Sequence, residues 1–318
     1  MSHPDMQRRR TMFWLALGAG LTDCTPVAAA PAVDQGRLER LPALGRAGIA
    51  ARPVDVWLPP GFDRRRRYAA LYMHDGQMLF DPRGTWNRKA WEVDRVIAGL
   101  LAVGRVRNVI VIGIHNDPSR RHAEFFPEAA ITDLEPAALR TTFIAEALGG
   151  RPAADDYLRF LVEVVIPQVN AAYPVLGGRE STFIMGSSMG GLISLYALCE
   201  YPQVFGAAAA LSTHWIGSFE RNTQIPAALL AYLRRRLPAA GGCRIYMDRG
   251  TRDLDALYDD AQRQVDTLLE ERGYRPPNFK SRVFKGATHD EDAWRARLAE
   301  PLEFLLQPEA ALRMTEPR

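Results

Sequence analysis

The stretch Phe183-Ile184-Met185-Gly186-Ser187-Ser188-Met189-Gly190-Gly191 holds the residues best suited to chemistry. Ser188 stands between two glycines, where an apolar run, Ser181 to Met185, meets a helix-forming segment, Leu192 to Cys199. Strand, tight turn and helix are the setting in which a serine becomes a nucleophile. Glycines at 186 and 190 let the backbone pass close to its neighbours, so the Ser188 hydroxyl can be presented on a strained turn. The Met189 amide opens the helix, and an N–H without an intrahelical acceptor can meet a developing negative charge.

A serine hydroxyl is a weak nucleophile until a base takes its proton. The chain has six histidines. His289 follows the last apolar strand pattern and precedes the last helical one, where a doubly wound hydrolase sheet carries its base. His214 is the second candidate, better suited to a pocket wall. The acid should follow the strand pattern Arg244 to Met247, and Asp248, Asp253 and Asp255 all compete for that role. A second oxyanion donor is expected in His74-Asp75-Gly76-Gln77, where the turn at Gly76 can aim the Gln77 amide inward.

These groups need a scaffold. Strand patterns cover Arg52 to Leu58, Tyr68 to Met73, Asn108 to Ile114, Ser181 to Met185, Gly206 to Leu211, Arg244 to Asp248 and Lys280 to Phe284. Helical spacing covers Trp91 to Leu101, Asp155 to Tyr173, Leu257 to Arg272 and Asp292 to Leu306. The β-branched run at 108–114 reads as a strand buried on both faces. Alternating strands and helices predict one α/β domain over 33–306, a doubly wound, mostly parallel sheet with helices on both faces. The segment His115 to Arg151 reads as a long loop able to roof the site.

Several stretches together resemble the Putative esterase family of the α/β-hydrolase superfamily, which contains esterase D, feruloyl esterases, enterochelin esterases and mycolyltransferases. They are Val56 to Gly61, Leu71 to Asp81, Gly186 to Gly191 and Gly286 to His289. Gly113-Ile114 with Arg121, Glu124 and Phe125 is similar to a further loop of the family. The resemblance spans about Leu38 to Leu306. It implies a serine esterase with Ser188 as nucleophile, His289 as base, and no metal or organic cofactor. Gly250 to Tyr258 matches the Gly-Thr-x-x-Leu-Asp-Ala-x-Tyr pattern of close relatives, which favours Asp255, whereas the wider family's spacing favours Asp253. We expect Asp255 to pair with His289. Asp75, Arg121, Glu124, His214 and Trp215 are the candidate lining of the substrate pocket. Trp86, Trp91 and the Phe125-Phe126 pair are either acyl-site or core aromatics. The implied substrate is a small-molecule, polysaccharide or siderophore ester. Acyl transfer to a sugar hydroxyl, or a silent siderophore- or glycan-binding protein, are the alternatives.

Arg8-Arg9-Arg10, a short apolar run and the small residues of Val27 to Ala32 describe a secretory signal peptide over 1–32. Export to the periplasm or beyond is therefore expected, with lipid attachment at Cys24 a weak option. The formal charge is +3, and the leader contributes three Arg minus two Asp, leaving about +2. That balance gives no reason to expect a nucleic-acid partner. No second apolar run is long enough for an integral membrane span. Cys199 and Cys243 read as small buried hydrophobes. The tail 307–318 reads as frayed. His-Glu-x-x-His, paired Cys-x-x-Cys and G-x-G-x-x-G are absent, which removes support for metal hydrolysis and nucleotide chemistry.

Overall fold

A computed structural model describes residues 31–308. The expected signal peptide and C-terminal tail lie almost wholly outside the described residues. The strands are β1 (Arg37–Arg46), β2 (Ile49–Leu58), β3 (Ala69–Met73), β4 (Val109–Ile114), β5 (Thr182–Ser187), β6 (Ala207–Leu211), β7 (Arg244–Arg249) and β8 (Phe279–Val283). They form one sheet in the order β1-β2-β4-β3-β5-β6-β7-β8. β2 runs antiparallel to both β1 and β4, and every other pair is parallel. This is the mostly parallel sheet of an α/β-hydrolase-like fold.

Side chains alternate across the sheet because the strand period is two. Ala70, Tyr72, Ile110, Ile112, Ile184, Ala208 and Ile245 enter one core. Ala69, Leu71, Val109, Val111, Phe183, Met185, Ala207 and Tyr246 enter the other. Both faces are therefore apolar, and both are covered. Helix α1 (Val93–Ala102) lies on the second face. Helices α2 (Arg121–Phe125) and α3 (Ala137–Thr142) fall inside the segment read as a loop. That segment is not an open lid. Phe125, Phe126, Ala130 and Leu134 are buried in the first core.

Helices α4 (Ala154–Phe160) and α5 (Ile166–Ala172) form one rod interrupted by a π turn at Leu161–Val165. Pro167 explains the interruption: it has no N–H to return, and its ring displaces the carbonyl four residues back. Helix α6 (Met189–Glu200) is buried along its whole circumference up to Cys199, as a helix wedged between sheet and outer helices must be. Helix α7 (Gln224–Arg236) was not anticipated. Arg234, Arg235 and Arg236 sit in its last turn, where cations complement the helix dipole. Helix α8 (Asp259–Glu271) precedes β8. The expected closing helix is two, α9 (Glu291–Arg297) and α10 (Ala299–Leu305), because the Pro301 ring leaves no room for the Arg297 carbonyl in a continuous helix. β1 was also missed. It is an edge strand, joined to β2 through Ala47-Gly48 with Gly48 at φ 86°.

The register sets the site. Ser187, Leu211 and Asp248 lie side by side on β5, β6 and β7. The chain leaves all three strands at one level, and the segments that follow β3, β4 and β8 emerge at the same carboxyl edge. Ligands of open α/β sheets bind at that edge.

Candidate active site

Ser188 follows β5 directly and takes φ 57°, ψ −122°, a conformation L-residues rarely adopt. The surroundings hold it there. Its N–H donates to the Leu211 carbonyl at 2.9 Å, and its own carbonyl accepts from Gly191, Leu192 and His214 at 3.0, 3.3 and 3.2 Å. A Cβ on Gly186 would come within 2.9 Å of the Gly190 backbone, so only glycine allows strand and helix to touch here. The Gly191 and Leu192 amides close on Ser188, which leaves the Met189 and Gly190 amides at the helix opening without an intrahelical acceptor.

His289 Nδ1 meets Asp255 Oδ1 at 2.5 Å. Asp255 is fully buried in a short 3₁₀ turn, and its Oδ2 accepts from Ser212 Oγ at 2.6 Å and from the Gly250 amide. The His289 ring is held edge-on between Tyr258 and Trp294, with centroids 5.7 and 5.1 Å away. Asp253 is exposed and at φ 52°, outside this contact. Asp248, the third candidate acid, is engaged elsewhere. It pairs with Arg297 at 3.0 Å and accepts from the Tyr246 hydroxyl at 3.2 Å. Burial pushes its carboxyl up to about 6 against the pull of that guanidinium. The Tyr258 phenol lies beside the Ser188 hydroxyl.

His214 is 4% exposed, and its Nδ1 lies 2.6 Å from the Tyr258 hydroxyl. Burial first, then His289, His122 and Arg121, holds its imidazole down at about 3. It is neutral and poorly suited to act as a base. His74 is likewise held at about 3 by burial, with Nδ1 2.8 Å from the Tyr157 hydroxyl.

The turn after β3 forms the facing wall. Asp75 opens a 3₁₀ turn, Gly76–Met78, from φ 57°. A Cβ on Gly76 would lie 2.6 Å from the Gly113 carbonyl, and one on Gly190 would lie 3.6 Å from Asp75 Oδ2. The Asp75 carboxylate thus sits beside the serine turn. Arg121 grips it from Nε at 2.8 Å and Nη2 at 2.7 Å, and Asn116 donates at 2.5 Å. Burial opposes ionisation of Asp75, yet these donors hold its carboxyl below the usual range. The Met78 and Leu79 amides close the turn, so the Gln77 amide is not used by it, while Gln77 Oε1 accepts from the Asn116 amide at 3.1 Å.

Two expected pocket residues belong elsewhere. Glu124 is 1% exposed and locked onto Arg52 by two hydrogen bonds of 2.6 and 2.7 Å. Trp215 is 1% exposed and donates its indole N–H to Gln262 Oε1 at 2.8 Å. Both are interior residues, not walls of a cleft. Phe125, Phe126 and Trp91 are core as well, whereas Trp86 and Phe219 are exposed. Tyr258 and Ser212 were not singled out from sequence as site residues, although Tyr258 closes the Gly250–Tyr258 pattern. Cys199 and Cys243 are buried and free. Among the described residues no group of three or more His, Cys, Asp or Glu could hold a metal, and no helix is long and apolar enough to cross a membrane.

Comparison with known proteins bears on the family and the fold. The family model described as Putative esterase matches residues 50–305. Uncharacterized protein YbbA of Bacillus subtilis is 24% identical over 261 residues, 80% of this chain and 92% of that protein. The iron(III) enterobactin esterase of Escherichia coli K12 is 28% identical over 197 residues, 60% of this chain and 44% of the relative, so the match spans under half of that enzyme. Among solved structures, the Shigella flexneri enterobactin esterase in the presence of enterobactin superposes with TM-score 0.65 at 18% identity, covering 86% of this chain and 59% of that one. A ferulic acid esterase from Anaeromyces mucronatus gives TM-score 0.58 at 19% identity, over 86% of this chain and 92% of its own.

Proposed function

The chain belongs to the Putative esterase family, and from that premise we propose that it is an exported serine esterase acting through an acyl-enzyme on Ser188. The observation that carries the reading is the contact of the buried Asp255 with His289, set at the same sheet edge as a serine in a strained strand-to-helix turn. In this reading the Ser188 hydroxyl is activated by His289. Its proton passes to His289 Nε2 as Oγ attacks the ester carbonyl. Asp255 holds Nδ1 protonated and stabilises the imidazolium that forms. The oxyanion is met by the Met189 amide and by the Gln77 amide across the cleft. His289 returns the proton to the leaving alcohol, and water then releases the acid by the same steps. No metal or organic cofactor takes part.

The structural and curated relatives point to enterobactin-like siderophore esters or feruloyl esters as substrates. The leader pattern favours action outside the cytoplasm on such esters, and the mature charge of about +2 gives no reason to expect a nucleic-acid partner. The test is turnover of a short-chain nitrophenyl ester, followed by a panel of feruloyl, acetyl and catecholate esters. Ser188→Ala is expected to abolish turnover with an unchanged melting temperature. Wild-type-like turnover in that variant would refute the reading.

A further inference from the structure

We propose that Ser212 is a positioning residue for the triad acid, and that Arg297 and Trp294 fix the direction of its proton. The inference rests on the serine-esterase reading of the site. Ser212 Oγ has three polar neighbours. Arg297 Nη2 at 2.8 Å and Trp294 Nε1 at 3.0 Å can only donate. They occupy the two lone pairs of the hydroxyl oxygen. The single Ser212 proton is therefore left for the third neighbour, Asp255 Oδ2, at 2.6 Å.

The donors are themselves fixed. Trp294 and Arg297 are three residues apart on α9 and share one helix face. Arg297 is gripped by Asp248 Oδ1 from Nε at 3.1 Å and Nη2 at 3.0 Å, donates from Nη1 to the Ala293 carbonyl at 3.3 Å, and lies over the Phe284 ring. Asp248, Ser212, Asp255 and Arg297 are all buried, so water does not compete for these bonds. A chain of oriented bonds thus runs from β7 through α9 to Ser212, Asp255 and His289.

A second observation is independent of the hydrogen bonds. Ser212 sits at φ 44°, where glycine would be relaxed and serine is strained. A side chain is kept at a backbone position that disfavours one, and this side chain reaches the acid. With Oδ2 saturated by Ser212 and the Gly250 amide, only Oδ1 is available to His289. The network therefore fixes the rotation of the carboxylate and, through it, that of the imidazole.

Ser212→Gly and Ser212→Ala remove the hydroxyl, and the glycine variant also relieves the strained φ. Steady-state kinetics on a nitrophenyl ester should show kcat lowered about 10-fold or more, as for a lost hydrogen bond to a charged group, with KM unchanged. In an Asp255→Asn background, Ser212→Gly should cause no further loss, because its effect passes through that carboxylate. The proposal is overturned if kcat stays within about twofold of wild type, if the change lies in KM, or if the losses multiply. A Ser212→Gly protein that fails to fold overturns it too, since the hydroxyl would then serve stability. Asp255→Asn alone separates the two claims. Full activity there removes the triad reading itself, whereas a crippled Asp255→Asn beside an unaffected Ser212→Gly removes only the positioning role.

Discussion

Replacing Asp255 with asparagine should disable the enzyme through the wrong imidazole tautomer. Two donors, the Ser212 hydroxyl and the Gly250 amide, converge on the Oδ2 position. An amide placed there must turn its carbonyl toward them, since its NH₂ would face two donors in a fully buried site. Its NH₂ then points at His289 Nδ1, which must accept. The imidazole proton moves to Nε2, and the ring can no longer take the Ser188 proton. Loss of a triad carboxylate by this route lowers kcat by roughly 10⁴-fold, about 5.5 kcal/mol of transition-state stabilisation. The assay is kcat on a nitrophenyl ester at neutral pH, with melting temperature as the control for folding. Asp253→Asn, at an exposed position outside the contact, should stay within about twofold of wild type. Activity of Asp255→Asn within about tenfold of wild type would refute the reasoning, as would a crippled Asp253→Asn.

Other perturbations test the scaffold. Glu124→Ala leaves Arg52 buried without its bidentate partner and should cost about 3–5 kcal/mol in denaturant unfolding; a loss below about 1 kcal/mol would show that the pair is not the buried anchor described. Gly76→Ala places a Cβ 2.6 Å from the Gly113 backbone and should destabilise by about 1–3 kcal/mol while also lowering kcat, because the same shift moves the Gln77 amide; unchanged kcat would remove Gln77 from the oxyanion site. His214 is held near 3 in the folded state against about 6.5 unfolded, so the unfolded chain binds the extra proton as pH falls below about 6.5. The stability advantage of wild type over His214→Gln should therefore shrink by about 2 kcal/mol between pH about 6.5 and about 5, and a constant gap would mean that His214 is not buried neutral.

Local features carried most of the sequence reading. The strand–turn–helix around Ser188 and the β-branched run at 109–114 each depend on residues close together in the chain. What escaped depends on distant partners. Glu124 reads as a polar loop residue until Arg52, on β2, is brought against it. Asp248 reads as one of three competing acids until α9 supplies Arg297. β1 is an edge strand with charged, solvent-facing positions, so its alternation is weak and the hairpin glycine is the clearer signal. The segment 115–151 is polar enough to read as a loop, yet its Phe125-Phe126 pair fills the core under it. Ser212 carried no pattern at all, since its meaning comes from two donors on α9 and an acceptor in the 3₁₀ turn that holds Asp255.

The central claim is that Ser188 forms the acyl-enzyme, and covalent labelling tests it most directly. Wild-type protein treated with a fluorophosphonate should gain one adduct by intact mass, mapped by peptide sequencing to Ser188, with labelling suppressed by a competing ester. Labelling should be abolished in Ser188→Ala and strongly slowed in His289→Ala. An unlabelled wild-type protein that still turns over esters, or an adduct mapped to any other residue, would contradict the account.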